Sequence, residues 1–121
     1  MIIAVDFDGV FVENRFPEVG KPDTIVFEAL KVLRGQGHRL ILWTSRVGSR
    51  LTEAVALCNE LGLKFDAINS GDPDNLAEYG TDPRKVYADV YIDDHSIWYT
   101  KGLLYAWLSE KIKEGNNNEQ R

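Results

Sequence analysis

Four short apolar runs, each followed by polar or charged residues and spaced by helix-patterned segments, leave this chain few ways to fold. Residues 2–6, 38–43, 65–68 and 86–92 are too short for helices. They are also too continuously apolar for strands with a wet face, which predicts strands covered on both sides. Between the first two runs, Val26, Phe27, Leu30 and Leu33 recur at helical spacing, with Asp23 or Thr24 able to cap the start and Gly35 and Gly37 to stop it. Leu51, Val55, Cys58 and Leu61 form a second stripe from a Ser49 cap to Gly62, and residues 103–113 predict a last helix. Residues 10–22 read as an extended loop or hairpin, and residues 71–83, with two Asp-Pro pairs, as a polar loop. Strands alternating with helices imply parallel pairing and right-handed crossovers. The predicted class is therefore α/β, a Rossmann-like doubly wound parallel sheet. Such sheets collect ligands at the carboxyl ends of their strands.

Length confines this pattern to a single domain, residues 1–114, since 121 residues support one core and not two. Residues 115–121, Gly-Asn-Asn-Asn-Glu-Gln-Arg, read as a disordered tail. A net charge of −5 argues against non-specific binding to nucleic acid or anionic membranes. It leaves room for a locally basic groove. The single Cys58 excludes an intramolecular disulfide and suits a reducing compartment. Its place on a helix stripe reads as core, not nucleophile. No signal-peptide pattern opens the chain, and no apolar run approaches the roughly 18 residues of a membrane span. The expectation is a cytoplasmic protein with no membrane partner.

The strand ends carry the chemistry. Asp6 and Asp8 close the first run and Gly9 follows; unpaired, two such carboxylates would repel by about 4 kcal/mol at an effective dielectric near 20. A hard cation meets that charge most simply. The second run ends in Thr44, Ser45 and Arg46, and the fourth in Asp93 and Asp94, with Arg84 and Lys85 just before it. Arg46 reads either as a contact to a substrate phosphate or leaving group or as a surface arginine. His95, after the acid pair, is not required by aspartate chemistry. Tyr91, Trp98, Tyr99, Tyr105 and Trp107 could stack a nucleobase but fit a core or a self-association surface better.

These residues resemble the haloacid dehalogenase superfamily. Asp6-Phe7-Asp8-Gly9-Val10 is similar to its first motif, Leu40-Ile41-Leu42-Trp43-Thr44 to its second, Lys85 to its third and Val90-Tyr91-Ile92-Asp93-Asp94 to its fourth. The resemblance covers residues 1–95 and implies a magnesium-dependent phosphatase. Asp6 would attack phosphorus and form an aspartyl-phosphate, while Asp8 would protonate the leaving oxygen and later take a proton from water. Thr44 would bond a phosphoryl oxygen, and Lys85 would hold Asp6 and the phosphoryl charge. Ser45 and Arg46 would face the substrate. Mg²⁺ would be held by Asp6, the backbone carbonyl of Asp8, and Asp93 or Asp94. An acid at position 8 marks phosphatases and phosphomutases of that superfamily, not its dehalogenases or ion pumps.

Members of the superfamily usually insert a cap domain, for which neither inter-motif gap has room, so the resemblance is to a capless member. It extends to the phosphatase domain of phage polynucleotide kinases and to small bacterial hydrolases. An open site suits a bulky substrate, or a neighbouring subunit of a homo-oligomer could supply the lid. The substrate could be a nucleotide, a nucleic-acid 3′-phosphate, a sugar phosphate or a phosphoprotein. Two other readings compete: a catalytically idle homologue serving as a binding surface, and a receiver-like phosphoacceptor. In receivers the acid pair follows the first strand and the phosphoacceptor the third, an order this chain does not keep.

Overall fold

The computed structural model describes residues 1–119. Along the chain run β1 (Ile2–Val5), α1 (Thr24–Gly35), β2 (Arg39–Leu42), α2 (Gly48–Glu60), β3 (Ala67–Ile68), α3 (Pro73–Tyr79), β4 (Val90–Ile92) and α4 (Lys101–Glu119). The four strands make one all-parallel sheet in the order β3-β2-β1-β4. The fold is α/β and Rossmann-like. Chain order reverses between β1 and β4, so the topological switch, where such sheets open a crevice, lies at their carboxyl ends.

Alternation along β1 explains the two layers. Ile3 and Val5 face a core with Leu40 and Leu42, covered by Phe27 and Leu30 of α1, Ala54 and Cys58 of α2 and Leu104 and Leu108 of α4. Ala4 and Ile41 face the other way, onto Ala67, Val86 and Ala88. The β3-to-β4 crossover covers that second face, and Arg39 ties it down through Asp72, the N-cap of α3, at 2.8 Å. Cys58 is fully buried, as its stripe predicts, and burial pushes its thiol up to about 12. Among the described residues no helix is long and apolar enough to cross a membrane.

Several elements differ from the sequence expectation for identifiable reasons. Residues 86–88 stay outside the sheet: the Tyr91 hydroxyl donates to the Val86 carbonyl (2.6 Å) and accepts from the Ala88 N–H (3.2 Å), which takes those groups out of the ladder, and contact with β1 begins at Asp89, whose N–H donates to Ile2 O at 2.8 Å. Within the loop expected over residues 71–83 stands α3, started by Asp72 with Pro73 in its first turn and closed by Gly80 in the left-handed region. It buries no side chain, so it left no apolar stripe to read. Asp23 does cap α1, accepting from the Ile25 and Val26 N–H groups, but α2 starts before Ser49, with Val47 as N-cap. Residues 115–119, expected in a tail, continue α4; the remaining two of that segment lie outside the described residues. Residues 10–22 do form a hairpin-like loop, closed by a Val12–Pro22 bridge and a hydrogen bond from Glu13 N–H to the Lys21 carbonyl.

Candidate active site at the ends of β1, β2 and β4

The sheet ladder runs one step past the strands and brings the ends of β1, β2 and β4 to one rim. Asp6 N–H donates to Ile92 O, and Trp43 N–H to Val5 O, both at 2.9 Å. An open pocket of about 540 Å³ forms there, lined by Asp6, Asp8, Thr44, Ser45, Asp93 and Asp94 from the predicted set, and by Asn14, Phe16, Trp43 and His95 from outside it.

Gly9 makes the close packing of the two acid pairs possible. Its φ is +85°, and a Cβ there would fall well inside contact distance of Asp94 Oδ2. Only glycine suits both conditions. The turn it permits brings Asp94 against the first loop, and Tyr99 Oη holds that loop by donating to Gly9 O at 3.2 Å.

The acids are unevenly satisfied. Asp6 Oδ1 accepts from its neighbour's N–H, Phe7 N, at 2.8 Å. Burial, with the smaller contributions of Asp93 and Asp94, pushes the Asp6 carboxyl up to about 7 against the lowering effect of that bond. Buried Asp94 Oδ1 has no hydrogen-bond partner. One donor atom each from Asp93, Asp94 and His95 lies within 4.8 Å of the others. A crowded carboxylate set with an orphaned buried oxygen fits a hard divalent cation such as Mg²⁺, which favours oxygen donors. Asp6, Asp93 and Asp94 would hold it together with the Asp8 carbonyl.

Arg46 corrects both sequence readings: it is neither exposed nor turned to a substrate. Its side chain is 1% exposed, and its guanidinium grips Asp8 in a fork, Nε to Oδ2 at 2.8 Å and Nη2 to Oδ1 at 2.7 Å. The hydrogen bond to Asp8 raises the arginine's pKa, so it stays charged. Its remaining N–H groups reach the carbonyls of Pro17, Glu18 and Arg50. Thr44 Oγ1 accepts from Arg46 N–H at 3.1 Å, which leaves the threonine hydroxyl proton free to donate. Asn69, in a left-handed conformation after β3, fixes Thr44 by accepting its N–H at 2.8 Å.

Lys85 stands apart from this cluster. It is exposed, does not line the pocket, and its ammonium sits over the Tyr91 ring, 5.4 Å from the centroid. With residues 86–88 out of the ladder, Lys85 lies against Tyr91 on the edge strand β4. Sequence reasoning missed Asn69, Asn14 and Phe16, which sit in irregular segments. Trp43, in the stretch that ends in Thr44, and His95, directly after the acid pair, are the legible additions.

No protein-family model matches the chain. No curated protein matches it either. Among solved structures, it is similar to a conserved protein from Bacteroides thetaiotaomicron, at 42% identity and a TM-score of 0.77, over 92% of this chain and 91% of that one.

Proposed function

The chain belongs to the same family as that conserved Bacteroides thetaiotaomicron protein, and we propose that it is a magnesium-dependent phosphomonoester hydrolase working through an aspartyl-phosphate. The observation that carries this reading is the meeting of Asp6, Asp8, Thr44 and the Asp93–Asp94 pair in one pocket at the sheet's switch point. The ordered resemblance to the haloacid dehalogenase superfamily supports it.

In this reading a carboxylate oxygen of Asp6 forms a bond to phosphorus as the ester P–O bond breaks. Asp8 enters the cycle in its acid form, regained from the water of the preceding turnover, and gives that proton to the departing oxygen. Water then attacks the phosphoryl group, Asp8 takes the water's proton, and the P–O bond to Asp6 breaks to free inorganic phosphate and Asp6. Magnesium, when bound, offsets negative charge on the nucleophile and the phosphoryl oxygens. Thr44 donates to a phosphoryl oxygen. Arg46 is a positioning residue: it fixes the plane of the Asp8 carboxylate, each of whose oxygens keeps a lone pair for the reacting proton.

With magnesium, the purified protein should hydrolyse a generic aryl phosphate, and Asp6→Asn should abolish turnover. If wild type and Asp6→Asn are equally inactive across a panel of nucleotides, 3′-phosphorylated oligonucleotides, sugar phosphates and phosphopeptides, the enzyme reading fails. The placement of Lys85 outside the pocket favours one other reading, a domain that binds phosphorylated ligands without turning them over. Tight binding with no release of phosphate would select it.

A further inference from the structure

Phe16 has no place in the chemistry, yet it lines the pocket with 59% of its surface exposed. Its loop is not loose. Asn14 Oδ1 accepts the Phe16 N–H at 3.3 Å, and buried Arg46 holds the two following carbonyls, Pro17 O at 3.1 Å and Glu18 O at 2.8 Å. The same guanidinium lies 5.2 Å from the centroid of the Phe16 ring. The arginine that orients Asp8 therefore also pins and buttresses an exposed aromatic ring at the pocket, and a pinned ring costs little entropy to bind against.

The rest of the lining narrows what could meet that ring. Trp43 supplies a second aromatic side chain, the acids are Asp6, Asp8, Asp93 and Asp94, and the lining holds no lysine or arginine. A leaving group with a second anionic centre would meet four carboxylates, with His95 the one lining side chain able to carry positive charge against them. A neutral, flat leaving group meets none of that repulsion and gains a stacking surface. A volume of about 540 Å³ has room for a small molecule of that kind.

Resting on the hydrolase reading of this site, we propose that its substrates are phosphate monoesters whose leaving group carries a neutral planar ring, and that Phe16 is the specificity-determining residue that stacks on the ring. Two sources share this chemistry: nucleoside monophosphates and phenolic phosphates.

Calorimetry with magnesium on full-length Asp6→Asn separates them without relying on turnover. The probes are adenosine monophosphate, phenyl phosphate and glycerol phosphate, each titrated with and without an added Phe16→Ala. Losing the ring should weaken the aromatic ligands about 5- to 150-fold, the range of base–aromatic stacking. Glycerol phosphate should change by less than about twofold, and Phe16→Tyr should restore the affinity. Loss confined to the nucleotide identifies a nucleobase as the ring; loss for both aromatic probes identifies any flat ring. Equal weakening of all three probes, no weakening, or no binding of either aromatic probe overturns the proposal. Wild type that binds as expected but releases no phosphate overturns the hydrolase reading alone.

Discussion

On the proposed hydrolase reading, Asp94 sets function against stability at the scale of one residue. Its carboxylate is pressed onto the bare Cα of Gly9, beside Asp6, with one buried oxygen unpartnered. Without a cation that arrangement costs stability, because the carboxylates repel and a buried acceptor goes unpaired. Asp94→Asn keeps the shape and removes a charge, and its amide nitrogen can donate to Asp6. In chelator the variant should melt higher than wild type, by a few degrees for a change of about 1 kcal/mol in a domain of this size. Magnesium should raise the wild-type melting temperature and leave that of the variant almost unmoved. An equal magnesium response in both proteins would remove Asp94 from the metal's ligands.

At the scale of elements, the loop after β1 is held from two sides, by Arg46 beneath Asp8 and by the start of α4 beyond Val10. Lys101, the first residue of α4, reaches Val10 O and, at 2.8 Å, Asp23 Oδ2; Tyr105 Oη donates to the same oxygen at 2.6 Å. Burial acts to raise the Asp23 carboxyl, but Lys101 and Tyr105 outweigh it and hold it below its ordinary value. A carboxyl lowered in the folded state contributes stability above its unfolded pKa and loses it as pH falls through the folded one. Wild type should therefore lose stability below about pH 4. Lys101→Met, less stable by about 1–3 kcal/mol at neutral pH, should show a shallower acid loss in urea titrations at several pH values. Parallel acid profiles would count against the pairing. Asp23 is legible as a cap, but the clamp is not, because Lys101 and Tyr105 of α4 reach it and the Val10 carbonyl from far along the sequence. Asp6, Asp8, Thr44, Ser45, Asp93 and Asp94 were legible because strand ends in a parallel sheet share a rim. Arg46 and Lys85 were not: both leave the sheet on turns, where no period fixes a side chain's direction.

For the whole molecule, net charge and an open site meet in the approach of substrate. The chain carries −5, and on the proposed hydrolase reading a phosphate monoester arrives close to a dianion, so the long-range field opposes encounter even where local groups favour binding. The Debye length shrinks from about 30 Å at 0.01 M salt to about 8 Å at 0.15 M. The pocket is lined by four carboxylates and no lysine or arginine, so His95 is the one lining side chain that can oppose the repulsion close in. With magnesium fixed and saturating, kcat/KM for a small phosphomonoester should then rise a few-fold across that salt range, while kcat changes little, since screening acts on encounter and not on the bound complex. A protein that attracts its substrate through a basic groove gives the opposite slope. A fall in kcat/KM with salt would therefore place a cationic path to the site, and Lys85 with Arg84 would be the first residues to neutralise in search of it.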